Sequence, residues 1–300
     1  MAIPYDTLPL RRSARALPTA WIAAAAVRAI CTEAALTPKP GLVDARGNRT
    51  HPDMSVALLE ASAESLRPAF RECADAAREH PLGLNLRAQV GAIGRAGEHR
   101  MRTVTNGVNT HRGALWALGL LAAGAAVVTK SGYCAPARRV QTIHAAAAYA
   151  GELATAPDVG APGRTMSHGQ RAWLRYGTGG ALAEAQRGFP HVVHVGLPAL
   201  WASRRRGEAE ECAALNALIA IMASLDDTCV LHRGGPRALD FVHRSATGIL
   251  EAGGCATATG RRKLEWFCVR ADRRMLSMGG SADLLSATLF CDLLPLTNGA

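Results

Sequence analysis

RGALWALGLLAAGAAVV, residues Arg112 to Val128, is the stretch that decides the fold. After Arg112 it carries no charge, and from Ala114 onwards its only polar atom outside the backbone is the Trp116 indole nitrogen. A helix without a polar face has to be buried all round, and the run is shorter than the ~20 apolar residues that a membrane span requires. It therefore reads as the central helix of a bundle. A helix held on every side also fixes the loop leading into it, Thr105-Asn106-Gly107-Val108-Asn109-Thr110-His111.

The remainder of the chain supplies helices to surround it. Hydrophobic residues make up 49% of the sequence but aromatic residues only 5%, so the apolar surface is mostly Ala and Leu, which favour helices that approach closely. The expected fold is all-α, a single multi-helix domain with functional loops at helix ends. A first helix is predicted from Thr19, as N-cap, to about Leu36, where Thr37-Pro38-Lys39-Pro40-Gly41 breaks it. From Asp53, as N-cap, Met54, Leu58, Ala61 and Leu66 recur at helical spacing, and Pro68 kinks or restarts the helix before Phe70 to His80. Asn85 is expected to cap a third helix that reaches about Val104, and helical patterns return at 138–155, 168–175, 190–204, 208–224, 237–252, 262–276 and 282–294. Apart from Val192-Val193-His194-Val195, no run alternates like a strand. Residues 1–18 are expected to be a flexible N-terminal segment and 19–300 one helical catalytic domain. The stretch Asp158 to Gly163 reads as a mobile loop or, alternatively, as a boundary.

The formal net charge of +10 fits a partner carrying several phosphates: nucleic acid, an anionic membrane or a polyphosphorylated metabolite. The basic residues come in short scattered groups, Arg138-Arg139, Arg204-Arg205-Arg206, Arg261-Arg262-Lys263 and Arg273-Arg274, with almost no aromatic residues interleaved for base stacking. Nucleic acid is thereby disfavoured as a partner. The eight cysteines include no CxxC pair and no His stands at zinc-finger spacing, so neither a disulfide framework nor a structural zinc site is indicated. Met1 to Pro18 carries Arg11, Arg12 and Arg15 but no apolar signal-peptide core, and the expectation is a cytoplasmic protein with no membrane partner.

Polar residues with no packing purpose collect in the loops between helices. Five clusters stand out. They are Lys39 to Asp44 with His51 to Met54; Glu98 with Met101 and Thr105 to Gly113; Ser167-His168-Gly169; Asp226-Asp227-Thr228 with Arg233-Gly234-Gly235; and Gly279 to Leu285. In chain order the segments KPGLVD (Lys39–Asp44), HPDM (His51–Met54), NGVNTHRGALWALGLL (Asn106–Leu121), SHG (Ser167–Gly169), GFP (Gly188–Pro190), DDT (Asp226–Thr228) with RGG (Arg233–Gly235), and GGSADLL (Gly279–Leu285) resemble the triphosphoribosyl-dephospho-CoA synthase family. The likeness runs from about Glu33 to Phe290.

That resemblance implies transfer of the 5-triphosphoribosyl group of ATP to the 2′-hydroxyl of 3′-dephospho-CoA, with release of adenine. It also implies Mg²⁺ accompanying ATP, and a partner transferase that passes the product to an acyl carrier protein of malonate decarboxylase or citrate lyase. General resemblance favours malonate decarboxylase. Such a reaction builds oxocarbenium character at C1′, so it needs negative charge nearby, a proton for the departing base and a general base for the hydroxyl. The triphosphate needs Mg²⁺ and Lys or Arg.

Under that reading Asp226 and Asp227, near Arg233 and two glycines, are magnesium ligands, although an aspartate there equally well N-caps the next turn. Gly279, Gly280 and Ser281 are expected to cradle phosphate at a helix N-terminus, with Asp283 on metal; a serine cap with an acidic first turn explains the same residues. Lys39 is expected to face phosphate, with Asp44, His51 and Asp53 supplying acid, base or metal contacts. Asn109, Thr110, His111 and Arg112 would hold adenine or phosphates, Arg233 a phosphate, and His111 is also a catalytic candidate, as are Glu98 and His168 unless they are surface residues. Three departures from the family pattern are Leu182 for an arginine two residues before Glu184, Met278 for a proline, and Gly97 for an alanine. The rival readings are a Mg²⁺-dependent N-ribosyl hydrolase and a basic helical nucleic-acid-binding module.

Overall fold

In the computed structural model, which describes residues 16–47, 49–130, 139–160, 171 and 174–294, helix follows helix. In order these are α1 (Thr19–Ala35), α2 (Val56–Ser65), α3 (Arg67–Glu79), α4 (Leu84–Val104), α5 (Arg112–Val128), α6 (Arg139–Thr155), α7 (Gly180–Gln186), a π-helical turn (His191–Gly196), α8 (Leu197–Arg205), α9 (Glu210–Met222), α10 (Thr228–Glu251), α11 (Ala258–Arg273) and α12 (Gly279–Leu293). Among the described residues there is no strand, only one isolated bridge between Asp44 and Gly47. None of these helices is long and apolar enough to cross a membrane.

α5 has the bounds that its apolar run implies, and it buries an unbroken series from Ala117 to Ala126. α1, α3, α4, α6 and α12 pack around it. The small residues set the spacing: a Cβ on Gly124 would overlap the Ala146 carbonyl of α6, so the two backbones touch there. Gly97 does the same for α4, where a Cβ would come within 3.0 Å of Ala69 and 3.3 Å of Leu115, which accounts for glycine where alanine is commoner.

Helix starts differ from the sequence expectation in three places. Pro18 rather than Thr19 precedes α1, its carbonyl accepting from the Trp21 and Ile22 N–H groups while Thr19 is buried. Asp53 is exposed in a turn closed by Met54 N–H to His51 O, and Ser55 is the cap of α2, its Oγ accepting from Leu58 N–H at 3.2 Å. α4 begins at Leu84 after Gly83, so Asn85 lies inside it. Pro68 restarts the chain as α3, as expected. Val192 and Val193 are buried in the π-helical turn, not in a strand. α10 is broken at Gly235 (φ 67°, ψ −168°) before Pro236, so the helix expected over 237–252 is its second half. The helix expected over 168–175 falls largely outside the described residues, as does most of the N-terminal segment 1–18.

Candidate active site

The C-terminal end of α1, the loop before α5, and the starts of α10 and α12 meet around a cavity of about 200 Å³. Of the residues singled out in the sequence, Lys39, His51, Asn109, Thr110, His111, Arg112, Gly279 and Asp283 line it. Loops more than two hundred positions apart thus converge because their helices all pack on α5 or on its neighbours. Several of these side chains, however, are engaged differently from the expectation.

Lys39 does not offer its ammonium to a phosphate. Nζ donates to Glu33 Oε1 (2.8 Å), Glu33 O (2.7 Å) and Ala34 O (3.2 Å), and the side chain is 1% exposed. Two of its three protons thus satisfy carbonyls at the end of α1, where a cation also complements the helix dipole, and the third pairs with the Glu33 carboxylate. Asp44 is likewise structural: Oδ2 accepts the Lys39 N–H at 2.8 Å, and both oxygens bind Arg46. It shapes the loop and does not line the cavity. Arg233 is exposed, and its Nη1 donates to Thr50 O (3.0 Å) and Met275 O (3.1 Å), stapling two loops. The 41–50 loop lies hard against the second of these. Gly41 has φ +60°, and a Cβ there would come within about 2.5 Å of Leu276 O, so both conformation and space demand glycine. Met278, fully buried, packs at the same point. His51 does face the cavity, its Nε2 2.9 Å from Ser277 Oγ. Burial and the neighbouring Arg233 push its pKa down, so the ring is neutral near pH 7.

The magnesium assignment is corrected. Asp227 Oδ1 accepts Cys229 N–H (2.9 Å) and, more weakly, Gly280 N–H (3.4 Å), while Oδ2 accepts Ser281 N–H (2.8 Å) and Ser281 Oγ–H (2.9 Å). One buried carboxylate therefore caps α10 and α12 together, and its lone pairs are committed. Burial pushes its pKa up against those hydrogen bonds. The same bonds occupy the amides of Gly280 and Ser281, so the start of α12 cannot cradle a phosphate with them. Asp226, the next residue back, is exposed and does not line the cavity. Asp226, Asp227 and Asp283 do not fit a protein-built metal cage, and among the described residues no three His, Cys, Asp or Glu side chains are grouped to hold a metal ion.

Asp283 instead presses its carboxyl onto the first turn of α5. A Cβ on Gly113 would overlap it, which is why that position is a glycine. Burial, then the charges of Glu33 and Asp227, raise its pKa well above the ordinary carboxylate value, with the Ala114 N–H opposing. His111, buried in the wall, bonds Ser62 Oγ through Nδ1 at 2.9 Å, and Ser62 Oγ lies 2.6 Å from Thr110 Oγ1. Burial and Lys39 push the His111 pKa down to about 3. It is a neutral hydrogen-bonding group at neutral pH. Asn109 is exposed at the rim. Glu98 pairs with Arg112 (3.4 Å) and Arg102 (3.4 Å), so it acts on the cavity through Arg112.

His168 lies outside the described residues. Glu184, buried in α7, takes the His191 N–H and Nδ1 on its two oxygens (2.8 Å each) and is remote from the cavity wall, while Leu182 is 50% exposed. The missing arginine at 182 therefore removes nothing from this cavity. Sequence reasoning missed Glu33, Ser62 and Ser277. Glu33 carried a signal, being the one acidic residue of an Ala-rich α1, and it is buried at 5% exposure.

Comparison with known proteins was made against this geometry. A family model described as ATP:dephospho-CoA triphosphoribosyl transferase matches residues 19–300. A protein of Stutzerimonas stutzeri named "Probable 2-(5''-triphosphoribosyl)-3'-dephosphocoenzyme-A synthase" is 51% identical over 90% of this chain and 90% of its own. One of Pseudomonas paraeruginosa with the same name is 50% identical over 91% and 90%. The Klebsiella pneumoniae "2-(5''-triphosphoribosyl)-3'-dephosphocoenzyme-A synthase" is 46% identical over 95% and 97%. No solved structure matches the chain.

Proposed function

We propose, from the premise that this chain belongs to the ATP:dephospho-CoA triphosphoribosyl transferase family, that the cavity before α5 is where C1′ of the ATP ribose passes to the 2′-hydroxyl of 3′-dephospho-CoA and adenine departs. One observation carries this reading: Asp283 and His51, whose pKa values are shifted in opposite directions, line the same cavity. Such a pair divides acid from base. Asp283, whose raised pKa favours the protonated form, gives its proton to the departing adenine. Neutral His51 takes the proton of the attacking hydroxyl and returns it to solvent, and solvent reprotonates Asp283. Once it is ionised, Asp283 supplies negative charge beside the oxocarbenium-like C1′. His111, Thr110 and Asn109 offer neutral hydrogen bonds to the sugar or the base. A direct displacement inverts C1′.

Magnesium belongs with the triphosphate in this proposal and has no cage of protein carboxylates. The product would go to a partner transferase in the cytoplasm and serve as the prosthetic-group precursor of an acyl carrier protein, that of malonate decarboxylase by general resemblance. The test is to incubate the purified protein with ATP, Mg²⁺ and 3′-dephospho-CoA. Adenine and a triphosphoribosyl adduct should appear together; ADP or AMP without adenine would refute the reading. Adenine release that does not need dephospho-CoA would mark the N-ribosyl hydrolase instead.

A further inference from the structure

The cavity has no cation to spare. Among the described residues lining it, Lys39 is neutralised by Glu33, and Arg112 faces Glu98 at 3.4 Å. At about 200 Å³ it holds a ribose with the edge of a base, not a nucleotide with its phosphate chain. The phosphates need another seat, and α4 provides one.

Arg87, Gly91 and Arg95 stand four residues apart on one face of α4, in line with Glu98. All three meet Asp158. Arg95 Nη1 donates to Asp158 Oδ2 at 2.7 Å, and Arg87 Nη1 approaches the same oxygen at 3.5 Å without a hydrogen bond. Gly91 makes room for it, since a Cβ there would overlap the Asp158 carboxylate. Arg87 is 6% exposed, with its guanidinium over the Trp116 ring at 5.2 Å. Its Nε and Nη1, and Asp158 Oδ1, are buried and find no hydrogen-bond partner among the described residues. A buried donor left unmade costs about 1–3 kcal/mol, and here two such donors and an acceptor sit together. As placed, the Asp158 carboxylate bonds Arg95 and leaves Arg87 unserved, whereas a phosphoryl group has more oxygens and more charge and can be gripped by both.

We propose that Arg87 and Arg95 form a phosphoryl-binding site, with the Asp158 carboxylate as a resident occupant that the substrate's phosphates displace. The site lies along the same two helices as the cavity rim: Trp116 is one turn beyond Arg112 on α5, and Gly91 is about 10 Å along α4 from Glu98 at the helical rise. As a subsite for the transferase this rests on the function proposed above. The phosphates could be those of ATP or the diphosphate of dephospho-CoA, which share the chemistry.

The test uses the full chain and inorganic pyrophosphate, with binding measured by calorimetry, so that it does not depend on turnover. Arg95→Gln should weaken pyrophosphate binding about 10- to 100-fold, the loss of one charge-assisted hydrogen bond. Asp158→Asn, nearly isosteric, should tighten it several-fold by removing the competitor. In turnover, Arg95→Gln should raise KM for one substrate with little change in kcat. A rise for ATP assigns the triphosphate, and a rise for dephospho-CoA assigns the diphosphate. If Asp158→Asn leaves pyrophosphate affinity unchanged or lower, and Arg95→Gln moves neither affinity nor either KM, the cluster is a structural ion pair and the proposal falls. Should the pyrophosphate pattern hold while the wild type releases no adenine, the site stands and the transfer reading fails.

Discussion

At the scale of residues, Asp227 and Asp283, both read in the sequence as magnesium ligands, part company in the structure. Asp227, with both oxygens bound to the starts of α10 and α12, is expected to matter first for stability. Asp227→Ala should lower the unfolding free energy by about 2–4 kcal/mol, the loss of two caps and the orphaning of buried N–H groups, as read by urea unfolding. A variant as stable as the wild type but inactive would restore Asp227 to the metal. Asp283→Asn should do the reverse, keeping the fold and lowering kcat about 10²- to 10⁴-fold through loss of the transferable proton. Its pH behaviour gives a second check. A carboxyl whose folded pKa lies above its unfolded value of 3.8 holds more protons in the folded state, so stability falls as pH rises from 3.8 through the raised value. Asp283→Asn should remove that fall. His111 has the opposite sign: the unfolded ring takes a proton near 6.5 and the folded one only near 3. Its contribution is intact above 6.5 and is lost at up to about 1.4 kcal/mol per pH unit as the medium acidifies. The thermal midpoint of His111→Gln should therefore decline less between pH 6.5 and 4 than that of the wild type, and parallel curves would show that the imidazole is not buried neutral.

At the scale of elements, α5 was legible in full because a run without any polar face admits one placement, whereas the caps of α1, α2 and α4 were not. A cap depends on where the incoming chain turns: Pro18 and Gly83 take that place for reasons of loop geometry that capping propensity does not record, and between Asp53 and Ser55, both eligible by propensity, the turn closed at Met54 selects Ser55. The site was legible to the same degree. Loop residues with no packing purpose pointed to the cavity, but Glu33 hid inside a helix, and the bond between Asp227 and Ser281 spans 54 positions, a distance that no local pattern reports. The glycines of α5 separate structure from chemistry. Gly124→Ala would push α5 off the Ala146 carbonyl of α6 and should destabilise the fold by about 1–3 kcal/mol, as overpacking does. Gly113→Ala would collide only with the Asp283 carboxylate at the cavity wall. It should cost turnover far more than thermal midpoint. Equal effects of the two substitutions on midpoint and on kcat would mean that Asp283 has no special place at the start of α5.

At the scale of the whole molecule, the net charge of +10 has to be reconciled with a cavity whose cations are both paired. The excess is carried outside it and, apart from the Arg87 and Arg95 pair, by scattered arginines that raise the potential over the surface. Charge of that kind steers polyanions toward the protein and is screened beyond about 10 Å at 0.1 M salt. It acts on encounter, not on the chemical step. Raising the ionic strength from about 0.05 to 0.5 M should therefore increase KM for ATP several-fold while kcat stays within a factor of two, measured by adenine release at fixed Mg²⁺. The same surface would attract RNA, which separates the remaining rival: a nucleic-acid-binding module concentrates its cations with aromatic residues along one track, and this chain is only 5% aromatic with its arginines dispersed. Single-stranded RNA added at 0.15 M salt should leave adenine release unchanged at micromolar concentration. Inhibition at nanomolar RNA, with a steep salt dependence, would mean that the positive surface is a binding track in its own right and that nucleotide steering is the wrong account of the charge.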